Sequence, residues 1–153
     1  MKPTTVIGID VGKSGGLAVI HEDYKVETFK MPETERDISN LIEDLSHLPN
    51  PFAYIEKVNS MPGQGIVSAW KFSGNYHGLR MTLICHKIPF DEVRPQVWQK
   101  GLGIVKRAKT ESKVQFKNRL KAKAQQLFPS CTVTHAIGDA LLISEYGFRL
   151  SGQ

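Results

Sequence analysis

Cysteine is scarce in this sequence, with only Cys85 and Cys131 among 153 residues. Two thiols are too few for a disulfide scaffold or for a zinc site built from cysteines. Long apolar runs are also missing, since none approaches the roughly 20 residues that a membrane-spanning helix needs. A strand-like segment at residues 6–10 follows almost directly on the first Met, without the apolar stretch of a signal peptide. We therefore expect a reduced, cytoplasmic protein without a membrane anchor.

Internal repeats, linkers and low-complexity segments are likewise missing from the sequence. The composition is ordinary, at 41% hydrophobic and 23% charged residues, so neither disorder nor a fibrous repeat is indicated. A chain of this length has room for one hydrophobic core and hardly for two. We predict a single domain over residues 1–153.

Negative charge is almost absent from one segment of the chain. Residues 94–123 contain ten Lys or Arg and a single acid, Glu111, for a local charge of +9. The remainder of the chain carries a charge of −4. Because one segment holds the whole positive excess, the distribution favours a polyanionic partner contacted by one face of the protein.

The pattern of apolar residues predicts the order β-β-β-α-β-α-β-α-α, which is typical of an α/β fold with a mixed sheet. In such a sheet an antiparallel meander is extended by parallel strands through helical crossovers. Strands are predicted at residues 6–10, 16–20, 26–29, 52–56 and 88–93, and helices at 38–48, 66–85, 112–127 and 137–148. The second helix contains Ser68, Ser73, Gly74 and Gly78, and we expect these small residues to pack against another backbone.

Three acids stand out by their positions. Asp10 and Glu56 each end an apolar strand, and Asp139 lies in an otherwise apolar helix, four residues after His135. If the first and fourth strands are parallel neighbours, both strand-ending carboxylates emerge at one sheet edge, where a divalent cation would relieve their repulsion. Oxygen ligands of this kind suit Mg²⁺ or Mn²⁺. Alternatively, the acids at strand ends are turn residues, and Asp139 caps its helix.

Lysines in the basic segment recur every four residues, at positions 109, 113, 117 and 121, which places them on one ridge of a helix. A solvated helix face normally mixes both charge signs, so this ridge favours contact with a phosphate backbone. Four aromatic side chains, Trp98, Phe72, Trp70 and Tyr76, are candidates for stacking on unpaired bases, although core packing is favoured for Trp70. The predicted nucleic-acid contacts are Lys57, Lys106, Arg107, Lys109, Lys113, Lys117, Arg119 and Lys121.

The glycine-rich turn at residues 10–16 offers a different interpretation. Its pattern Asp-x-Gly-x-Ser-Gly, between two strands, resembles the phosphate loop of sugar kinases and actin-like ATPases, in which backbone amides bind nucleotide phosphates. Those proteins place two such domains around a cleft, whereas this chain has length for at most one. A single-domain nucleotide binder is therefore the weaker alternative.

Four segments of the sequence form one combined pattern: Ile7-Gly-Ile-Asp10 with Gly15-Gly16-Leu-Ala, then Tyr54-Ile-Glu56-Lys57, then Val93-Arg-Pro95-x-x-Trp98-x-Lys100, then Asp139-Ala-Leu-Leu-Ile-x-Glu-Tyr-Gly147. Taken together, these segments resemble one family, the RuvC-type Holliday junction resolvases, and most closely its small phage and organellar branch. They appear in the family's order and span nearly the whole chain.

The resemblance implies an RNase H-like fold, a homodimer, and an endonuclease that resolves four-way DNA junctions by paired symmetric nicks. It also implies that Asp10, Glu56 and Asp139 bind Mg²⁺ or Mn²⁺, with two ions in each active site. The part of the second helix from Ile66 to Leu83 is our candidate for the dimer interface. If the protein is encoded by a phage, the resemblance implies a location in the cytoplasm of the bacterial host.

The sequence departs from the family pattern at one position. The family places an acid or a His three or four residues before the last Asp, whereas this chain has Ala136 three residues before and His135 four before. Either His135 is the fourth catalytic and metal-binding residue, or Ala136 replaces an acid and the protein is a catalytically impaired variant. A broader fork and flap endonuclease and a non-catalytic junction-binding protein are the alternative functions.

Overall fold

The computed structural model describes residues 2–59 and 62–152. In these two ranges five strands and five helices form a three-layer arrangement with the sheet between helices. Their bounds are β1 Thr5–Asp10, β2 Gly16–His21, β3 Val26–Lys30, α1 Glu35–Ser46, β4 Pro51–Glu56, α2 Ile66–Cys85, β5 Phe90–Val93, α3 Pro95–Gly101, α4 Lys113–Leu127 and α5 His135–Leu150.

The sheet has the strand order β3-β2-β1-β4-β5. Strands β1, β2 and β3 pair antiparallel through short turns, whereas β4 joins β1 in parallel and β5 joins β4 in parallel. Parallel neighbours require crossover connections, which α1 and α2 supply. The predicted mixed five-stranded α/β sheet, with its antiparallel meander and parallel extension, is therefore confirmed.

One helix was not predicted, and several predicted boundaries were wrong; helix α1, for example, spans Glu35–Ser46 rather than residues 38–48. A helix that the sequence analysis missed, α3, begins at Pro95, because the fixed φ of proline and its missing N–H suit the first position of a helix. Strand β5 begins at Phe90 rather than at residue 88. Helix α5 begins at His135, two residues earlier than predicted, after Thr134 at its N-cap.

Successive side chains of β1 point to opposite faces of the sheet, so they contribute to two separate core clusters. Val6 belongs to a cluster that also contains buried side chains of α3, α4 and α5. Ile7 and Ile9 belong to a second cluster, formed with α1 and α2. Because side chains alternate along a strand, residues 6, 8 and 10 share the face that α5 covers.

Helix α5 approaches the backbone of β1 closely at Gly8. A Cβ atom at this position would overlap Ala140 O and Ser144 N, and would lie 2.8 Å from Ser144 Cβ. Only a residue without a side chain allows this approach, so Gly8 fixes the height of α5 above the sheet. The same approach positions the first turns of α5, including Asp139, over the end of β1.

The small residues of α2 do not pack as predicted. Neither Gly74 nor Gly78 has any other part of the described chain within 4 Å of the position that a Cβ would take. Both glycines lie on an exposed face of the helix rather than against another backbone.

None of the helices in residues 2–59 and 62–152 has the length and apolarity needed to cross a membrane.

We predict that Gly8→Ala destabilises the protein by about 2 kcal/mol, because the new Cβ meets main-chain atoms that cannot rotate away. Urea denaturation at 25 °C measures the free energy of unfolding. Gly138→Ala is the matched control, since its Cβ would lie at an ordinary contact distance, 3.6 Å, from Val133 Cγ1. An unchanged unfolding midpoint for Gly8→Ala would contradict the close approach of α5 to β1.

Candidate active site

Two of the predicted carboxylates come together because β1 and β4 are parallel neighbours. Ile9 pairs in register with Ile55, so Asp10 and Glu56 end the two strands at the same edge of the sheet. Glu56 also shares the sheet face of Tyr54, which packs in the cluster under α5. Both acids therefore face α5 rather than α2.

The third carboxylate, Asp139, lies on α5, which packs over the end of β1. It lies one turn into the helix, whose N-cap residue is Thr134. The alternative interpretation, that Asp139 caps its helix, is therefore wrong. Because Ala140 O contacts the Cβ position of Gly8, this turn of α5 lies directly over the end of β1.

A cavity of about 430 Å³ contains all four predicted catalytic and metal-binding residues. We call it the carboxylate cavity; its floor comes from the β1–β2 turn, and its walls come from α2, α4 and α5. It is lined by Asp10, Val11, Gly12, Lys13, Ser14, Gly15, Glu56, Phe72, Lys117, Lys121, His135, Gly138 and Asp139. Acids and lysines thus meet in one concave surface.

Burial and mutual repulsion disfavour ionisation of the three acids. Burial, followed by the charges of Asp139 and Glu56, raises the pKa of Asp10 well above its usual range, and Lys117 opposes this shift. Burial also raises the pKa of Asp139, with Lys117 and His135 acting in the opposite direction. The pKa of Glu56 rises to about 7, chiefly through burial. Without a cation, this cavity therefore disfavours the ionised form of all three carboxyl groups.

Trp98 holds Glu56 in place from the core side. Its Nε1–H donates a hydrogen bond of 2.8 Å to Glu56 Oε2, and the indole is fully buried. This bond stabilises the ionised carboxylate and so opposes the rise in the Glu56 pKa. Base stacking was predicted for Trp98, but the burial of Trp98 beneath Glu56 shows that this prediction was wrong. Trp98 instead supports Glu56 through its hydrogen bond.

The side chains fit a hydrated divalent cation by their chemistry. Within residues 2–59 and 62–152, no three Asp, Glu, His or Cys side chains lie close enough together to hold a metal as a group. Mg²⁺ is usually bound through one or two carboxylates, retained waters and substrate phosphates, rather than in a cage made only of protein. Three desolvated carboxylates around one cavity suit that mode of binding. Their roles as metal ligands stay predictions.

His135 and Ala136 differ in where their side chains lie. His135 is exposed at the start of α5 and lines the carboxylate cavity together with Asp139, one helical turn away. Ala136 packs against the core cluster and is not among the described residues that line the cavity. Of the two positions, 135 is therefore the one whose side chain lines the cavity.

Helix α2 supports the turn that follows Asp10, a contact that the sequence analysis missed. The Gly12 N–H donates a hydrogen bond of 2.8 Å to Asn75 Oδ1, and the Phe72 ring lies 3.0 Å from the Cβ position of Gly12. Gly12 has φ +108°, a conformation that side chains rarely adopt. The spacing of three residues between Phe72 and Asn75 was the available signal, since it places both on one face of a helix.

The basic residues divide into three groups in the structure. Lys113, Lys117 and Lys121 form one ridge of α4, and the latter two line the carboxylate cavity. Lys109 precedes the helix, whose N-cap is Ser112, so its predicted place on that ridge was wrong. Lys106 and Arg107 also precede α4, whereas Lys57 directly follows β4.

Arg119 is engaged within the protein. Its Nε and Nη2 atoms donate hydrogen bonds of 3.0 and 2.9 Å to the two carboxylate oxygens of Glu111. The guanidinium also lies over the Phe116 ring, 4.8 Å from its centroid. Glu111, the only acid of the basic segment, therefore pairs with a residue that was predicted to bind DNA.

The four aromatic candidates have different surroundings. Trp70, which was expected in the core, is 80% exposed on α2. Phe72 is half-buried and lines the carboxylate cavity. Tyr76 is also half-buried, beneath Arg80. Phe72 is thus the aromatic side chain that remains a candidate for stacking beside the three acids.

Comparison of the structure with solved structures defines the fold class as RNase H-like, in the form found in RuvC. The structure of Thermus thermophilus RuvC in complex with a Holliday junction substrate superposes with a TM-score of 0.65 at 16% identity, covering 96% of each chain. Another Thermus thermophilus RuvC structure gives 0.64 at 16% identity, over 95% of this chain and 96% of the other. No family model and no curated protein matches the sequence. The predicted RNase H-like fold is confirmed.

We predict that Glu56→Gln stabilises the metal-free protein at pH 8 and not at pH 4.5. The folded-state pKa of Glu56, about 7, lies above the ordinary value of 4.5, so the folded state holds its proton longer than the unfolded state. This group's contribution to stability therefore falls as the pH rises from 4.5 to 7, by roughly 3 kcal/mol. Glutamine removes the charge and keeps an acceptor for Trp98.

Thermal denaturation in EDTA measures the difference in stability between Glu56→Gln and the unsubstituted protein. At pH 8 we expect the melting temperature of Glu56→Gln to be higher by about 6–12 °C. Asp44→Asn, at an exposed position of α1, is the control, and we expect little change at either pH. A gain for Glu56→Gln that is equal at pH 4.5 and pH 8 would contradict the account.

Proposed function

We propose that this protein is a metal-dependent endonuclease that cuts branched DNA, chiefly four-way junctions, by paired nicks. The observation that carries the proposal is the carboxylate cavity, in which three desolvated acids meet Lys117 and Lys121 at an open sheet edge. The fold it shares with RuvC, which has been solved with a Holliday junction substrate, supports the same assignment. Placement in the small phage and organellar branch stays a prediction.

Each acid has a distinct position from which to act on a phosphodiester. Asp10 ends the strand that pairs with β4 and lies under α5, so it is adjacent to the elements that carry both Glu56 and Asp139. We assign it the bridging position, with Glu56 on one side and Asp139 with His135 on the other. Bound Mg²⁺ or Mn²⁺, two ions in each site, would supply a nucleophilic hydroxide and stabilise the leaving 3′-oxygen. The expected products carry 5′-phosphate and 3′-hydroxyl ends.

The α4 ridge positions the DNA backbone beside these acids. Lys117 and Lys121 line the cavity, and Lys113 continues the ridge one turn towards the start of the helix. Phosphate contacts of this kind fix the register of DNA and give affinity that falls with salt. Lys57, Lys106, Arg107 and Lys109 extend the positive surface outward. Arg119 contributes less, because Glu111 already neutralises it.

We assign the fourth catalytic position to His135, which leaves the protein a competent nuclease rather than an impaired variant. The carboxylate of Asp at position 136 would lie against the apolar core cluster that Ala136 now contacts, so its ionised form would be desolvated. His135 already lines the cavity from an exposed position.

We predict that Ala136→Asp gives no gain in Mg²⁺-dependent nicking and lowers the melting temperature. His135→Ala should reduce nicking at least tenfold with junction binding retained. The initial rate on an end-labelled four-way junction measures both effects. Faster nicking by Ala136→Asp would show instead that the chain is an impaired variant that has lost an acid at this position.

We predict that Asp10→Asn abolishes nicking and leaves junction affinity within about threefold of the unsubstituted protein. The substitution removes the bridging charge and preserves size, whereas the lysines that hold the backbone remain. Nicking is measured on synthetic four-way junctions with and without Mg²⁺, and affinity by fluorescence anisotropy. Asp44→Asn serves as the charge-matched control on α1. Loss of binding in Asp10→Asn would show that Asp10 is a structural residue.

The same assay separates the alternatives to a junction resolvase. Forks, flaps and linear duplexes of matched sequence test whether the enzyme is a broader branched-DNA nuclease. Equal rates on forks and junctions would favour that broader activity. Tight junction binding without turnover in either Mg²⁺ or Mn²⁺ would identify a non-catalytic binding protein.

We propose further that two copies associate through the outward face of α2. Five of the ten large exposed hydrophobic side chains in the described ranges lie on this helix: Ile66, Val67, Trp70, Met81 and Ile84. The helical period places all five on one stripe with Gly74 and Gly78, where a second backbone could approach closely. A two-fold axis beside this stripe would give the two active sites that paired nicks require.

We predict that Trp70→Glu converts the dimer to a monomer, because it buries a charge in an apolar interface. Sedimentation velocity over a range of concentrations measures the association state. Leu150→Glu is the matched control, since it is also an exposed apolar residue, 59% accessible, but lies at the end of α5. A monomeric unsubstituted protein, even with junction bound, would rule out the dimer.

A further inference from the structure

The connection between α3 and α4 contains a fully exposed, positively charged stretch at residues 105–110, which we call the basic loop. Val105 at its start is 73% exposed. Lys106, Arg107 and Lys109 give the loop its charge, and it contains no acid. Within residues 2–59 and 62–152, Lys106 and Lys109 take part in no ion pair. Both lysines are therefore available to an anionic partner.

The chain that leads into the basic loop is held by the core. Leu102 is buried, and the half-buried Ile104 packs against the cluster under α5. The Ile104 N–H donates a hydrogen bond of 2.9 Å to Gln99 O, and Gly103 turns the chain with φ +70°. The loop therefore leaves α3 from a defined point.

Glu111 fixes the other end of the loop. Its two carboxylate oxygens accept hydrogen bonds from Arg119 of α4, and we call this pair the clasp. The Glu111 N–H donates a hydrogen bond of 3.1 Å to Ala108 O, and Arg107 Nη1 donates one of 2.9 Å to Glu111 O. A two-bond pair between a guanidinium and a carboxylate fixes orientation as well as distance. The clasp therefore ties the end of the basic loop to one turn of α4.

The α4 ridge connects the basic loop to the carboxylate cavity. Lys117 and Lys121 line the cavity, whereas Lys113 lies at the end of α4 that follows the loop. With a rise of 1.5 Å per residue, the ridge from Lys121 to Lys113 is about 12 Å long, which matches about four base pairs of DNA. DNA that follows the ridge away from the acids would therefore reach the basic loop within one arm of a junction.

Charge balance alone does not explain an acid at position 111. Glu111 is the only acid of residues 94–123, and it neutralises Arg119. The hydrogen bonds from Arg119 are the largest cause that lowers the pKa of Glu111, and the Ala108 main chain and Arg107 act in the same direction. An ionised carboxylate in this segment repels a polyanion. Its geometric effect on the loop is therefore the feature that could favour DNA binding.

We propose that Glu111 and Arg119 are positioning residues, whose clasp holds the basic loop so that Lys106 and Lys109 contact the phosphate backbone of a DNA arm beyond the cut. This inference rests on the proposed function, because it takes branched DNA as the partner. The clasp orders the loop before DNA binds, so less conformational entropy is lost in the complex.

The test measures junction affinity over a range of salt concentrations by fluorescence anisotropy. The loop variant carries Lys106→Gln and Lys109→Gln together. Glu111→Ala breaks the clasp and makes the protein more positive, whereas Arg119→Lys keeps the charge but loses the two-bond geometry. Asp44→Ala, at an exposed position of α1, is the control that removes an acid elsewhere. Thermal denaturation establishes that each variant is folded at the temperature of the binding assay.

We expect the loop variant to reduce the slope of log affinity against log salt by about 2, as for the loss of two phosphate contacts. Glu111→Ala and Arg119→Lys should each weaken binding at least fivefold, roughly the cost of ordering two long side chains. Neither should weaken binding further in the loop variant, because the clasp acts through these lysines. Nicking at saturating junction should be unchanged, since the basic loop does not line the carboxylate cavity.

The direction of the Glu111→Ala effect separates positioning from charge. Tighter binding by this variant, with Arg119→Lys unchanged, would overturn the proposal and show that the clasp only neutralises charge. Losses that add in full to those of the loop variant would also overturn it. If the protein binds junctions and the loop variant binds equally well, this proposal fails while the proposed function stands. If the unsubstituted protein binds no junction, both fail.

Discussion

Desolvation of like charges at the end of the central strands is the constraint on which the rest of the structure depends. Burial raises the pKa of Asp10, Glu56 and Asp139, and repulsion from neighbouring carboxylates adds to this at Asp10 and Glu56. Lys117, His135 and the Trp98 hydrogen bond act in the opposite direction. Strongly shifted carboxylates of this kind are typical of functional sites, and a bound cation would remove the penalty.

Helix α2 connects the two surfaces that such an enzyme needs. Its inward face holds the turn after Asp10 through Phe72 and Asn75, and its outward face carries the apolar stripe around Trp70. Association of two copies on the outward face would therefore fix the helix that supports each catalytic turn. Phe72 also lies between the carboxylate cavity and the neighbouring cavity that Lys57 and Arg94 line. The proposed association and the proposed catalytic site would thus depend on one helix.

Much of the fold could be predicted from sequence because its determinants are local. The parallel pairing of β1 and β4 followed from apolar strands separated by a helical crossover, and it places Asp10 beside Glu56. Local patterns gave less information about the burial and contacts of individual side chains, because these depend on long-range packing. The burial of Trp98 under Glu56 and the exposure of Trp70 depend on which helix faces the sheet. The spacing of Phe72 and Asn75 indicates a shared helix face, but not that this face contacts Gly12. Lys109 was misplaced because Ser112, with its capping box, starts α4 after it.

Binding of Mn²⁺ followed by electron paramagnetic resonance tests the central claim most directly, since it needs no DNA and no catalysis. The account predicts that the unsubstituted protein binds Mn²⁺ at pH 8, more weakly at pH 5.5 as the carboxylates take up protons. It predicts that Asp139→Asn and Asp10→Asn each lose most of this binding. Unaltered Mn²⁺ binding in both variants, or none by the unsubstituted protein at millimolar Mn²⁺, would contradict the claim that these carboxylates form a cation site.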